Sequence, residues 1–453
     1  MRLRRLELTN FRGFGHLDLE FHPNFNVLIG VNGVGKTTVL EAAAVALSGW
    51  LLSFPGADTR QIRSGDVRSS GQIEGSRYRS LKQFPVKISA FADVDLRGQS
   101  GGFPPDLQWT RSLEREGGRT TSGGAREIKN LASAVVGEIR TGGSITLPVM
   151  RYFGAGRLWE PIRGTEKRKN RKKRQISETD GESRKIDLDD PFYGYRLSID
   201  KRANAADLIR WMGEERRNEI DLDEPSTALD LVRDAILMML PELADVRYEL
   251  RRDTLVLELK DGRNLVFADL SDGYRNIIAL AADLAIKMTM LNPHLQGDAL
   301  NKTPGVVLID ELDLHLHPTW QRRVAEDLRR TFPLVQFICT SHSPFVVQSL
   351  RSGEELIVLD GQPTATTQNK TLEEVAEGLM GVQNAETAER YGEMKNTARH
   401  LLEEMERADL STEEKFQRFR LKMAQATGPY ADNPAYQAYL EMQLASHRPL
   451  GEE

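Results

Sequence analysis

Leu6 and Leu8, then Leu17, Leu19 and Phe21, alternate with polar neighbours, and a period of two predicts two strands joined around Asn10-Phe11-Arg12-Gly13-Phe14. Phe25-Asn26-Val27-Leu28-Ile29 is nearly all apolar and predicts a strand buried on both faces. A glycine-rich loop over 30–35 leads into a run from Val39 to Phe54 that carries only Glu41 and two serines as polar side chains, the pattern of a buried helix. From 60 to 160 the pattern is one of short strands, clearest over Phe84 to Asp93 and Thr146 to Phe153, with a Gly/Ser/Arg-rich loop excursion from Arg97 to Arg126. Leu208, Ile209, Trp211 and Met212, then Leu231, Ile236, Leu237, Met239 and Leu240, predict helices within 203–240. Thr254 to Lys260 and Arg263 to Phe267 flank Asp261-Gly262, a hairpin signal. A helix from Tyr274 to about Met290 precedes buried strands at Gly305 to Glu311, Val335 to Thr340 and Leu356 to Leu359. The tail is helical, with capping boxes at Thr371 and Ser411 and an Asn433-Pro434 start.

Composition narrows the class. The 453 residues are 40% hydrophobic and 28% charged, a globular balance with room for two to three domains. No apolar run is long enough to span a membrane, the start lacks the apolar core of a secretory signal, and the single Cys339 excludes a disulfide framework. The expected setting is the cytoplasm. A net charge of −5 argues against wholesale nucleic-acid coating. The sharpest break is the basic block at 167–174 followed by acidic Asp187-Leu188-Asp189-Asp190; the block fits DNA or RNA phosphates and a solvated loop equally. These shifts divide the chain into a lobe at 1–160, a basic loop and helical insertion at 161–245, a second lobe at 246–365 and a helical region at 366–453.

Three stretches carry chemistry. Gly30-Val31-Asn32-Gly33-Val34-Gly35-Lys36-Thr37-Thr38 matches G-x-x-x-x-G-K-[ST] between a strand and a helix. Its glycines let successive N–H groups face phosphate oxygens, Lys36 supplies charge to the outer phosphates, and the Thr37 hydroxyl suits Mg²⁺. Val306-Val307-Leu308-Ile309-Asp310-Glu311 closes an apolar strand with two carboxylates, Asp310 for Mg²⁺ and Glu311 to polarise an attacking water. Thr340-Ser341-His342 ends the next strand, where His342 could meet a γ-phosphate. Asp313, His315 and His317 fit a structured loop better than a metal cluster, since Thr37 and Asp310 already account for the metal. Ser271-Asp272-Gly273-Tyr274-Arg275-Asn276 opens a long helix with Ser271 as its N-cap, a second anion-seeking terminus.

Together with Asn10-Phe11-Arg12, these motifs resemble, in identity and order, the ABC-type ATPase heads of the SMC/RecF/OLD group. Leu308-Ile309-Asp310-Glu311-Leu312-Asp313-Leu314-His315-Leu316-His317-Pro318 and Tyr152-Phe153-Gly154-Ala155-Gly156-Arg157-Leu158-Trp159 resemble the single-head anti-phage ATPases, among them PtuA of Septu and retron systems and, as a neighbour, AriA of PARIS. The resemblance implies an α/β fold: a P-loop head with a mixed central sheet, an antiparallel β subdomain, a helical insertion and a helical C-terminal tail. It implies ATP and Mg²⁺ as cofactors and a head-to-tail dimer. Lys36, Thr37, Asp310, Glu311 and His342 would act from one subunit; Ser271 and Gly273 would reach the γ-phosphate from the other. Arg12 resembles the group's residue near the nucleotide. The group's glutamine between metal and water has no clear counterpart; Gly154 to Arg157 is the candidate region, ahead of Gln61 and Gln83. The heptads of a long coiled coil are missing.

No D-x-D follows Asp360 and no HNH-like histidine cluster appears, so no nuclease is expected in the chain itself. The first expectation is therefore a slow regulatory ATPase of phage defence that controls a separate effector, an HNH nuclease resembling PtuB or a TOPRIM protein. A RecF-like clamp acting on DNA directly is the alternative, and a scaffold that binds ATP without turnover is a third.

Overall fold

The computed structural model describes residues 1–74, 77–94, 96, 106–157, 190–201, 205–359, 371–380, 389–408, 412–430 and 434–446. The basic block at 167–174, Leu158-Trp159, Ser411 and Asn433 lie outside these residues. Two compact units are present, Met1–Val375 and Ala376–Glu453.

In the first unit the chain opens with β1 (Arg2–Phe11), β2 (Phe14–Glu20) and β3 (Phe25–Ile29), then α1 (Lys36–Leu51). After them come β4 (Ser69–Glu74), β5 (Arg77–Lys82), β6 (Val86–Asp93), β7 (Leu107–Leu113), α2 (Arg126–Arg140) and β8 (Val149–Phe153). Beyond β8 lie α3 (Ala205–Leu222), α4 (Thr227–Met239), β9 (Leu243–Glu249), β10 (Thr254–Leu259), β11 (Asn264–Val266) and α5 (Asp272–Leu291). The last stretch holds α6 (Ala299–Lys302), β12 (Gly305–Ile309), α7 (Pro318–Gln321), α8 (Val324–Thr331), β13 (Val335–Thr340), α9 (Pro344–Gln348) and β14 (Leu356–Val358).

Strand directions are partitioned between sheets. The central five-stranded sheet, in order β14-β3-β13-β12-β8, is parallel throughout where a mixed sheet was expected, the antiparallel strands standing in sheets of their own. A separate four-stranded sheet, β2-β1-β6-β7, is antiparallel, as are β11-β10-β9 and β4-β5. The sequence explains the division: β3, β12 and β13 are buried at every position, as strands covered on both faces must be, while β2 alternates between half-buried and exposed. Each fully buried Val, Leu or Ile contributes about 1.5–3 kcal/mol, so these short strands anchor the loops at their carboxyl ends firmly.

Two further expectations need correction. The supposed loop excursion over 97–126 contains β7, whose register Ala90↔Trp109 extends the antiparallel sheet; Trp109 is buried and its indole N–H donates to the Ala46 carbonyl on α1 (2.8 Å). The stretch read as short strands also contains α2, whose buried Ile128, Leu131, Ala132, Val135 and Val136 follow helical spacing. Glycine-rich flanks obscured both.

In the second unit α11 (Glu389–Arg407), α12 (Glu413–Thr427) and α13 (Pro434–Ala445), preceded in the chain by α10 (Leu372–Gly378), bury Leu401, Met405, Phe416, Met423, Leu440 and Leu444 together. The Thr371 capping box forms as expected: the Thr371 hydroxyl accepts from Glu374 N–H (3.2 Å) and Glu374 Oε2 accepts from Thr371 N–H (2.7 Å). At α12 the cap is Thr412, accepting from Lys415 N–H, one residue after the Ser411 expected.

Candidate active site

All three chemical stretches leave the carboxyl ends of adjacent parallel strands, where open α/β sheets place ligands. Between β3 and α1, Gly30, Gly33 and Gly35 take φ of 146°, 86° and 110°, a range side-chain-bearing residues avoid. At Gly35 there is also no room: a Cβ would lie 2.6 Å from the Phe14 ring. Asn32 and Thr37 are exposed and Thr38 half-buried, so the loop and the amino end of α1 face outward. Lys36 is buried and its ammonium donates to the Gly30 (2.7 Å) and Val31 (3.1 Å) carbonyls.

The Thr37 hydroxyl lies 3.0 Å from both oxygens of Asp310 at the end of β12, although 273 residues separate them in the chain. On the other flank Thr340, ending β13, donates to Asp310 Oδ1 (2.7 Å) and accepts the Glu311 N–H (2.7 Å). The register Ile309↔Cys339 sets this up, because it leaves Asp310 and Thr340 side by side just beyond the sheet. Asp310 is 5% exposed, and no ion pair joins it to a described cation. A hydroxyl and a carboxylate converging through hard oxygens fit Mg²⁺, which takes one or two protein oxygens beside nucleotide phosphates.

Glu311 adopts φ 51°, in the left-handed region, a strained placement of the kind found at functional turns. His342 is exposed, and its N–H donates to Asp313 Oδ1 (3.2 Å), which also accepts from the Ser341 hydroxyl (2.6 Å). Asp313 thus ties the two strand ends together. The His317 ring caps α7 by accepting from Thr319 N–H (3.3 Å).

Ser271 occupies the N-cap position of α5, but its hydroxyl makes no capping bond and the residue is exposed. The expected capping bond is therefore absent. Gly273 has a role within the chain: a Cβ there would lie 2.7 Å from the His315 carbonyl oxygen, so only glycine lets α5 approach the loop after Glu311 this closely. Tyr274 meets Trp320 edge-on at 4.7 Å. Arg12 takes φ 50° and is occupied by Asp66 through Nε (2.9 Å) and Nη2 (2.8 Å), with Glu41 at 4.0 Å.

Sequence reasoning missed several neighbours. Arg157 stands where a glutamine was sought. It is 2% exposed and donates to the carbonyls of Asp310 (2.7 Å) and Glu311 (3.1 Å) and to Asn276 Oδ1 (2.6 Å), while Asn276 donates to the Leu314 carbonyl (2.9 Å). Burial lowers its guanidinium to about 10, against the pull of Asp310 and Glu311. Gln61 and Gln83 bond elsewhere, to Thr59 and to Ser70 and Leu81. One helical turn past Thr37, Glu41 is 2% exposed and pairs with Arg60 (2.9 Å) and Lys201; Arg60 also binds Asp66 (2.9 Å). Burial pushes the Glu41 carboxyl up, but Lys201 and Arg60 outweigh it and hold it below its ordinary value. The lone carboxylate inside an apolar helix was a signal for this cluster.

Comparison with known proteins agrees with the geometry. Residues 5–244, more than half of the chain, match the family model described as AAA domain. The chain belongs to the AAA domain family. Residues 167–348 also match a model described as AAA domain, putative AbiEii toxin, Type IV TA system. This AAA-domain chain is 24% identical to the retron Ec83 probable ATPase of Escherichia coli over 80% of its length and 72% of the relative's. It is 24% identical to the Septu protein PtuA of Bacillus thuringiensis, covering 84% of each. A solved SMC head domain from Thermotoga maritima aligns over 79% of this chain and 94% of its own at 15% identity and a TM-score of 0.40, too loose a likeness to carry an argument. The chain is an ATPase, and the expected likeness to retron and Septu ATPases holds. Among the described residues no helix is long and apolar enough to cross a membrane.

Proposed function

We propose that this ATPase acts in anti-phage defence, closing head to tail on a second copy around two ATP molecules and so controlling a separate effector. The observation that carries the reading is the convergence of Thr37, Asp310, Thr340 and Glu311 at one corner while Ser271 stays exposed with its hydroxyl uncommitted. One chain then offers the hydrolytic half of a pocket and, at the start of α5, a terminus suited to the γ-phosphate of its twin.

Thr37 and Asp310 would hold Mg²⁺, which when bound neutralises charge on the β- and γ-phosphates. Lys36 exchanges the Gly30 and Val31 carbonyls for phosphate oxygens. The Glu311 carboxylate orients the attacking water and accepts its proton, and His342, exposed beside it, donates toward the γ-phosphate. The Ser271 hydroxyl and the N–H groups near Gly273 close the pocket from the partner.

Relatives named for retron and Septu systems, matched over about four fifths of the chain, favour defence over the DNA-clamp alternative. The effector we infer is an HNH nuclease or a TOPRIM protein, as the resemblance to PtuA and AriA implies. Glu311→Gln tests the core of the proposal. ATP turnover should fall by on the order of 10²-fold or more, as loss of a general base requires, and sedimentation should show a dimer that persists with ATP. Unchanged turnover, or full activity from a strict monomer, would refute it.

A further inference from the structure

One buried polar group at this corner has no partner among the described residues. Tyr152 on β8 is 1% exposed, and among the described residues its buried hydroxyl has no hydrogen-bond partner. A buried phenol hydroxyl without a protein partner costs stability unless something else accepts its hydrogen bond. Such groups call for an explanation, and the position of this one supplies it.

Tyr152 stands opposite Leu308 in the parallel register of β8 and β12, so the two side chains share a face of the sheet. Asp310 lies two residues beyond Leu308 and points to that same face, toward Thr37 on α1. Arg151, on the opposite face, pairs instead with Asp283 of α5 (2.7 Å). The Lys201 ammonium lies 5.5 Å from the centroid of the Tyr152 ring and is bonded to Glu41, one turn along α1 from Thr37. The ring is therefore fixed beneath α1, between the Asp310 corner and the Glu41 cluster. Its backbone is pinned as well: Tyr152 N–H donates to the Ser198 carbonyl and Gly154 N–H to the Lys201 carbonyl, both at 2.8 Å.

We propose that Tyr152 is a positioning residue of the hydrolytic site, whose hydroxyl donates its unused hydrogen bond to an ordered water beside Asp310 once nucleotide is bound. This serves the need that a glutamine was expected to meet, from the strand just before the segment searched for it. Burial and the nearby Glu41 and Asp310 carboxylates raise the phenol above its ordinary value, so it stays protonated and acts only as a donor. The inference rests on the Glu311 reading above.

Tyr152→Phe removes one oxygen and keeps the ring. The expected result is a nucleotide-free protein with unchanged or higher Tm, a kcat for ATP at least tenfold lower, little change in KM, and a higher Mg²⁺ concentration needed for half-maximal binding of a fluorescent ATP analogue. Unchanged kcat would overturn the proposal. So would a Tm lowered by several degrees, because the hydroxyl would then have its partner inside the resting fold. Glu311→Gln run alongside separates the two ideas. If Glu311→Gln is inactive while Tyr152→Phe matches wild type, only the tyrosine proposal fails. If Glu311→Gln keeps wild-type turnover, the reading of the site fails with it.

Discussion

One helical turn separates Thr37 from Glu41 on α1, yet the carboxylates met at these two points stand in opposite surroundings. At the Thr37 end, Asp310 is 5% exposed and is met by two hydroxyls, from Thr37 and Thr340, with no ion pair to a described cation. At the other end, Glu41 and Asp66 share Arg60, with Lys201 on one side and Arg12 on the other. A buried carboxylate without a cation is costly, and the cost is tolerable where a cation arrives with the ligand. A buried carboxylate already matched by guanidinium and ammonium groups has no use for one. The first cluster is organised to receive; the second is organised to hold.

The contrast can be broken most directly at Asp310. Asp310→Asn should lower ATP turnover by on the order of 10²-fold or more, the loss expected when metal stabilisation of the transition state is withdrawn, yet leave Tm unchanged or raised. A steady-state assay and a thermal melt of the same preparation decide it; an unfolded variant would show that Asp310 is structural. Glu41→Ala should do the reverse in kind. It strips one of the two carboxylates from the buried Arg60 and the buried partner from Lys201, and unfolding free energy by urea titration should fall by about 3 kcal/mol. A variant as stable as wild type would erase the distinction. The smallest effect is on pH. Glu41 has a folded pKa below its unfolded one, so its stabilisation is complete above the ordinary glutamate value and is lost as pH falls through the folded pKa. Thermal melts across the acid range should therefore show wild type losing more Tm than Glu41→Gln.

The parts of this site carried by short contiguous motifs were legible in the sequence. The phosphate loop announces itself through glycine spacing, and the Asp310-Glu311 pair through its place at the end of an apolar strand. Thr340 and Asp313 become meaningful only through the β12–β13 register, a relation between strands 30 residues apart in the chain. Arg157 is not legible in advance because its guanidinium meets backbone carbonyls, which no sequence motif marks. β7 and α2 escaped because glycine-rich neighbours read as loop. Arg12 was expected near the nucleotide, whereas its commitment to Asp66 depends on a residue 54 places away.

Gly273 lets the first turn of α5 rest directly on the His315 carbonyl, and Asn276 secures the same corner through Arg157 to the backbone of Asp310 and Glu311. On the proposed function, the surface offered to a second copy and the Glu311 carboxylate are thereby parts of one stiff lever. On that proposed reading, phosphate departure at one end would move the other, and a chemical clock would also be a change of grip.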